Sequence, residues 1–223
     1  MTYGVLLKTT SGEVWVTPES TPLALLSKKS VTVANPQSYT TITQTYDVNN
    51  PIIPFVRVNG TGALWYETNN GVCTVTIWNA SQHAVMEAYF FSIFPQPMPV
   101  SKYGIAIWNA DKELILTHET KTLTDVLKIG GGGVAGNNGI NTDVTLSGKW
   151  GVVPEFLGMV VGVINDPLPR PFQSNIRAIA VASGNNTRIY GYGDGGTPTG
   201  GISGVSYING HTNAIALRVG DYD

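Results

Sequence analysis

The sequence predicts an all-β protein built as two β-sandwich-like modules. Three observations carry that reading. Short runs of Val, Ile, Thr, Tyr, Phe and Trp recur along the 223 residues, bounded by Gly, Asn, Pro and Ser, as half-buried strands and their turns require. No segment sustains an apolar period of 3.6 with a capped start and stop, which a helix would leave in the sequence. Residues 3–23 return without a gap at residues 103–123, with identity at Tyr3/Tyr103, Gly4/Gly104, Glu13/Glu113, Thr17/Thr117, Glu19/Glu119 and Leu23/Leu123. A repeat of this length points to duplication of a supersecondary unit.

The repeated unit reads as strand, turn and strand, over residues 4–8 and 13–17 and again over 105–109 and 113–117. Val5/Leu7 and Val14/Val16 sit two apart and share a strand face, as do Ile105/Ile107 and Leu114/Leu116. The turns Thr9-Thr10-Ser11-Gly12 and Asn109-Ala110-Asp111-Lys112 use residues that tolerate or hydrogen-bond into bent backbone. After the first hairpin, strands are expected at 30–34, 40–46, 53–59, 63–67, 72–78 and 84–93. Lys28-Lys29, the one adjacent basic pair, is expected in a solvated loop. Asn59-Gly60 and Asn69-Asn70-Gly71 supply the positive φ that tight hairpins need. Alternation over residues 72–77 puts Val72, Thr74 and Thr76 on one face and Cys73, Val75 and Ile77 on the other.

Phe94-Pro95-Gln96-Pro97-Met98-Pro99 interrupts this pattern, because prolines at alternate positions cannot donate to a ladder and favour a stiff, extended segment. The repeat restarts just beyond it. The expected boundary therefore divides an N-terminal domain, 1–97, from a C-terminal domain, 98–223. In the second, an apolar run at 122–129 leaves room for one short helical turn within 120–128. A glycine-rich loop follows at 130–139, and strands are expected at 142–146, 157–164, 176–182, 187–192, 203–208 and 214–219.

Composition narrows the function. Charged residues make up 13% and the net charge is −2, so nothing draws the chain to nucleic acid or an anionic membrane. The longest apolar stretch, 156–164, is about half of what a membrane span needs, and no membrane insertion is expected. The opening Met1-Thr2-Tyr3-Gly4 has no basic, apolar leader, so no signal peptide is expected. A single cysteine, Cys73, permits no intrachain disulfide and fits folding in a reducing cytoplasm.

The chemical motifs are mostly missing. The glycine run Gly130-Gly131-Gly132-Gly133 is not followed by Gly-Lys-Ser/Thr, so it reads as a flexible surface loop or one ordered by a partner, not a phosphate cradle. His83, His118 and His211 have no suitably spaced companions for a zinc site, and there is no Gly-x-Ser-x-Gly elbow. No enzyme activity and no cofactor are expected. Acids such as Glu87, Glu113, Glu119, Asp125, Asp143, Glu155, Asp166 and Asp194 are available, but no pair stands out for glycoside cleavage. The aromatics are more informative. Trp65-Tyr66 are adjacent strand residues, so one of them should face away from the core. Together with Trp108 and the Tyr190-Gly191-Tyr192-Gly193-Asp194 loop, they make Trp65, Tyr66, Trp108, Tyr190, Tyr192 and Asp194 the candidate ligand or interface residues, since exposed rings beside polar groups suit sugars and protein partners.

Tyr-Gly, a hydrophobic pair, a polar turn and a second hydrophobic pair resemble the opening hairpin of small tail proteins of tailed bacteriophages. There a Gly-Leu-x-Val-Trp/Phe-Asn-x-x-Gly-like strand-turn-strand opens a β-domain of the tail tip or fibre. The match covers residues 3–16 and, more closely, 103–116 with Ile107-Trp108-Asn109-Ala110. Lys112 stands where the pattern has glycine in the second copy, while Gly12 fits it in the first. The resemblance implies a non-enzymatic virion protein of the tail, folded in the host cytoplasm. It would assemble as a homo-oligomer or with other tail proteins, and contact a host surface glycan or protein. A glycan-binding host-recognition module and a polysaccharide-cleaving enzyme are the alternatives.

Overall fold

A computed structural model describes residues 7–8, 14–16, 21–101, 103–165, 167–195 and 201–223. Tyr3, Gly4 and Gly12 of the repeat, and Asp166, lie outside the described residues. Among the described residues there are eighteen strands, in the first half β1 (Leu7–Lys8), β2 (Val14–Val16), β3 (Ala24–Thr32), β4 (Thr40–Thr45), β5 (Ile52–Asn59), β6 (Ala63–Asn69), β7 (Val72–Trp78) and β8 (Val85–Ser92). They continue as β9 (Ala106–Trp108), β10 (Leu114–Thr117), β11 (Leu127–Ile129), β12 (Asp143–Ser147), β13 (Gly151–Val152), β14 (Phe156–Asn165), β15 (Pro169–Ser183), β16 (Asn186–Gly193), β17 (Ile202–Asn209) and β18 (Ala214–Leu217). The fold is all-β, and no helix among the described residues is long and apolar enough to cross a membrane.

The described strands of both repeat segments pair antiparallel in the same register. Leu7 faces Val16 and Lys8 faces Val14; one hundred residues on, Ile107 faces Leu116 and Trp108 faces Leu114. Each register carries a one-residue irregularity at the same place. Lys112 adopts φ +65°, the left-handed conformation that glycine reaches without a steric penalty. Glu119, another repeated residue, accepts hydrogen bonds from the Ser101 hydroxyl and from the backbone N–H groups of Val100 and Ser101. Those bonds, the Ser101 hydroxyl first, hold its carboxyl down at about 2 and tie the proline segment to the second hairpin. Equivalence of pairing is confined to the hairpins.

Beyond them the strands form a sandwich with a shared centre. β4-β7-β6 make a three-stranded sheet, joined at the β6–β7 end by Asn70-Gly71, both with positive φ, as a two-residue type I′ hairpin requires. Its inner face, Ile42, Leu64, Cys73, Val75 and Ile77, is buried against Val56, Val58, Met86, Ala88 and Phe90 of β5 and β8. The alternation read from residues 72–77 is thus the one the strand adopts. The opposite face of β5 and β8 carries Phe55, Tyr89 and Phe91, buried with Val153, Leu217, Val219 and Tyr222. Strands buried on both faces need near-continuous apolar sequence, which explains Ile52-Ile53-Pro54-Phe55-Val56 and Ala88-Tyr89-Phe90-Phe91.

The expected boundary at residue 97 does not separate two sheets. β5 pairs with β13 through Val56 and Val152, and with β15 through Val58 and Val181, so eleven strands from both sides of the proline segment share one sheet. Ile179 of β15 lies in the same core as β5–β8, while its neighbours Ala178 and Ala180 turn to a third core with Ile129, Val152, Leu157, Ile189, Ala214 and Ala216.

Several local expectations change. The first strand after the hairpin starts at Ala24, not near residue 30, and Lys28-Lys29 lie within it rather than in a solvated loop. Each ammonium has a fixed acceptor: Lys28 donates to the Asp223 carboxylate and Lys29 to the Thr43 carbonyl. Residues 120–128 contain no helical turn; the apolar run instead ends in β11, beside β18. A 3-10 turn, Val219–Tyr222, closes the last strand. β15 begins at Pro169 rather than near residue 176. Pro169 and Pro171 fit because β16 joins its other edge only from Ile176, and proline is tolerated where no donor is needed. The glycine run coils as successive turns held by side chains: Asn209 Nδ2 donates to the Val134 and Asn138 carbonyls, and the Gly132 N–H donates to Asn213 Oδ1.

Candidate functional site

The outer face of β4-β7-β6 is set by parity. With Ile42, Val75, Ile77, Leu64 and Tyr66 turned to the core, Thr41, Thr43, Thr74, Thr76, Ala63, Trp65 and Trp78 must occupy the other side. Pairing places Trp65 opposite Thr76 and Ala63 opposite Trp78, so the two indoles lie diagonally across adjacent strands. Tyr39, just before β4, closes the group. Its ring meets Trp65 edge-on at 5.9 Å, with planes at 81°, and lies 6.1 Å from Trp78. Edge-to-face packing holds such rings in fixed orientations. Tyr39 is nevertheless 66% exposed.

Arg177 of β15 and Asp194, just after β16, form the facing wall of a groove of about 280 Å3 against Tyr39, Trp65 and Trp78. Asp194 is held in place: its carboxylate accepts from the Asn175 N–H at 2.8 Å and from Asn175 Nδ2 at 2.9 Å, while its own N–H donates to the Asn175 carbonyl. The Arg177 guanidinium makes no hydrogen bond or ion pair among the described residues. The same Asp194 lines a second hollow, of about 390 Å3, with Ala63, Asn79, Ser174, Tyr192 and Gly193. The two hollows therefore adjoin, forming a cleft between the three-stranded sheet and the β15–β16 pair.

Of the six residues expected from sequence, Trp65, Tyr192 and Asp194 come together in this cleft. Tyr190 lies beside it, edge-on to Tyr192 at 6.2 Å and under the Arg188 guanidinium at 4.6 Å. Burial pushes its phenol pKa up. Tyr66 faces the core side of the sheet, and burial, followed by the nearby Glu155 carboxylate, raises its phenol pKa. Trp108 is exposed on the second hairpin, away from the cleft. Gly191 has a structural reason: a Cβ there would come within 2.2 Å of the Ile140 carbonyl oxygen.

Tyr39, Trp78 and Arg177 were not among the expected residues. Trp78 was legible in principle, because the alternation through Thr74 and Thr76 carries on to it. Tyr39 precedes its strand, and Arg177 is brought in by a β15–β16 register that the sequence does not reveal.

The groups suited to covalent or metal chemistry are dispersed. His83, His118 and His211 are all exposed, and no three of the His, Cys, Asp and Glu side chains cluster among the described residues. Cys73 is buried, which pushes its thiol up to about 11, far from a reactive thiolate. No protein-family model, no curated protein and no solved structure matches this chain, so the cleft and the exposed sheet stand on their own geometry.

Proposed function

We propose that the chain is a non-enzymatic structural component of a bacteriophage tail, in the distal tip or fibre, that works by burying surface against further copies of itself and neighbouring tail proteins. The observation that supports this most is the outer part of the β17-β14-β15 sheet. Here three strands continue past the cores as a single layer. Both alternating sets of side chains on β17 face solvent: Val205 is 48% exposed on one side and Ile208 50% on the other, and Val163 on β14 and Leu168 just before β15 are exposed beside it. A single apolar layer wet on both faces is unfavourable for an isolated chain. The β15 edge of this layer carries Pro169 and Pro171, which blunt it. β17 has no strand partner on its outer edge among the described residues, and that edge offers N–H and C=O groups for pairing with a second copy.

Analytical ultracentrifugation tests the assembly. The wild-type chain should self-associate, and Val205→Lys with Ile208→Lys should abolish association while leaving the far-ultraviolet circular dichroism unchanged. A chain that stays monomeric at high concentration and labels no virion by immunogold would refute the proposal.

A further inference from the structure

We infer that the cleft between the β4-β7-β6 sheet and the β15–β16 pair is a binding site for a neutral oligosaccharide. This goes beyond the assembly role and rests on different residues. Three aromatic rings stand on a sheet face whose other side forms the core, so Tyr39, Trp65 and Trp78 are not required there for burial. Their mutual packing fixes the platform before any ligand arrives, which limits the ordering entropy of binding. The electron-rich face of an aromatic ring attracts the polarised C–H bonds on the apolar face of a pyranose.

The facing wall supplies the directional half of saccharide recognition. Arg177 offers guanidinium donors, and Asp194 offers acceptor oxygens in an orientation fixed by Asn175. A sugar hydroxyl donates and accepts at once, so neighbouring hydroxyls can engage both groups. One positive and one negative side chain leave no net charge to favour an acidic sugar. Past Asp194 the adjoining hollow sets Asn79, Ser174 and Tyr192 beside the apolar Val160, Phe172 and Ile176, a mixed lining with room for more than one sugar unit.

Other occupants fit less well. An apolar protein anchor would bury Arg177 and Asp194 without partners, which is costly. A quaternary ammonium would be drawn to the rings and to Asp194, but it carries no acceptor for the Arg177 guanidinium donors beside it. Nucleic acid would need several cations to neutralise phosphates, and the cleft wall has one.

The test is an array of defined neutral, N-acetylated and acidic oligosaccharides probed with the full chain, followed by titration of the best neutral chains under tryptophan fluorescence. At least one neutral oligosaccharide should bind with Kd on the order of 1 mM or tighter and shift the emission. Tyr39→Ala, at an exposed position, and Arg177→Gln should each weaken binding by about tenfold with unchanged urea unfolding midpoints. Absence of binding to any neutral chain, preference for acidic chains, or wild-type affinity in both variants would overturn the assignment. Binding is read on the isolated chain, so its failure is distinct from a failure to assemble.

Discussion

Replacing Ile179 with alanine should destabilise both halves of the chain together. Ile179 belongs to β15, beyond the proline segment, yet it is 1% exposed and clusters with Val56, Val58, Leu64, Ile77 and Met86 from before that segment. Truncating a fully buried isoleucine removes its transfer energy and leaves a cavity, together about 2–5 kcal/mol. Ile179 sits in a strand hydrogen-bonded along both sides, with Ala178 and Ala180 fixed in a second core. The site has little freedom to collapse, so the upper half of that range, about 3–4 kcal/mol, is expected. With a urea m-value of about 3 kcal/mol/M for a chain of this size, the midpoint should fall by about 1 M. Urea unfolding would be followed by tryptophan fluorescence and by hydrogen exchange of β7 and β18 amides. One transition, displaced equally for both sets of amides, is the expected outcome. Two separated transitions, or a shift confined to β18, would refute the shared core.

Two further outcomes follow from local geometry. Lys112→Gly should stabilise the protein by about 0.5–1 kcal/mol, since it relieves the left-handed conformation at φ +65° and gives back part of the gain in chain entropy; differential scanning calorimetry should show Tm rising by about 2 °C. Asp223→Ala removes ion pairs to Lys28 and Lys149 and the hydrogen bond donated by the Tyr89 hydroxyl. These pairs are partly solvated, so screening limits them to a few tenths of a kcal/mol each, and the total loss should be about 1–1.5 kcal/mol. Burial alone would raise the Asp223 carboxyl, but the hydrogen bonds from Lys28, Tyr89 and Lys149 outweigh it and hold it below its ordinary 3.8. A depressed folded pKa means that the stabilisation is complete above about pH 4 and is lost as pH falls toward the folded value. The difference between wild type and Asp223→Ala in urea unfolding should therefore be full at pH 7 and shrink steadily below pH 4.

Much of the local structure was legible in the sequence because it depends on near neighbours. Alternation fixes which face a residue takes, so Cys73, Val75 and Ile77 could be assigned to the core and Trp65 and Tyr66 to opposite sides. Turn chemistry is equally local, and Asn70-Gly71 bends as its residue types require. The repeated hairpin declared its pairing through matched apolar positions.

The rest was decided by contacts between residues distant in sequence. Lys28-Lys29 looks like a loop until Asp223 and the Thr43 carbonyl are brought to it. Pro169 and Pro171 look like strand breakers until it is known which edge of β15 stays unpaired. The proline segment looks like a domain boundary, yet apolar strands on either side of it do better buried against each other than exposed. By itself the sequence determined strands, faces and turns, because each follows from backbone stereochemistry over a few residues. Only the tertiary structure decided that β5 and β15 join both halves in one sheet and that Tyr39, Trp65 and Trp78 face Arg177 and Asp194. Strand order and register between distant segments depend on the packing of the whole core, which no short stretch of sequence contains.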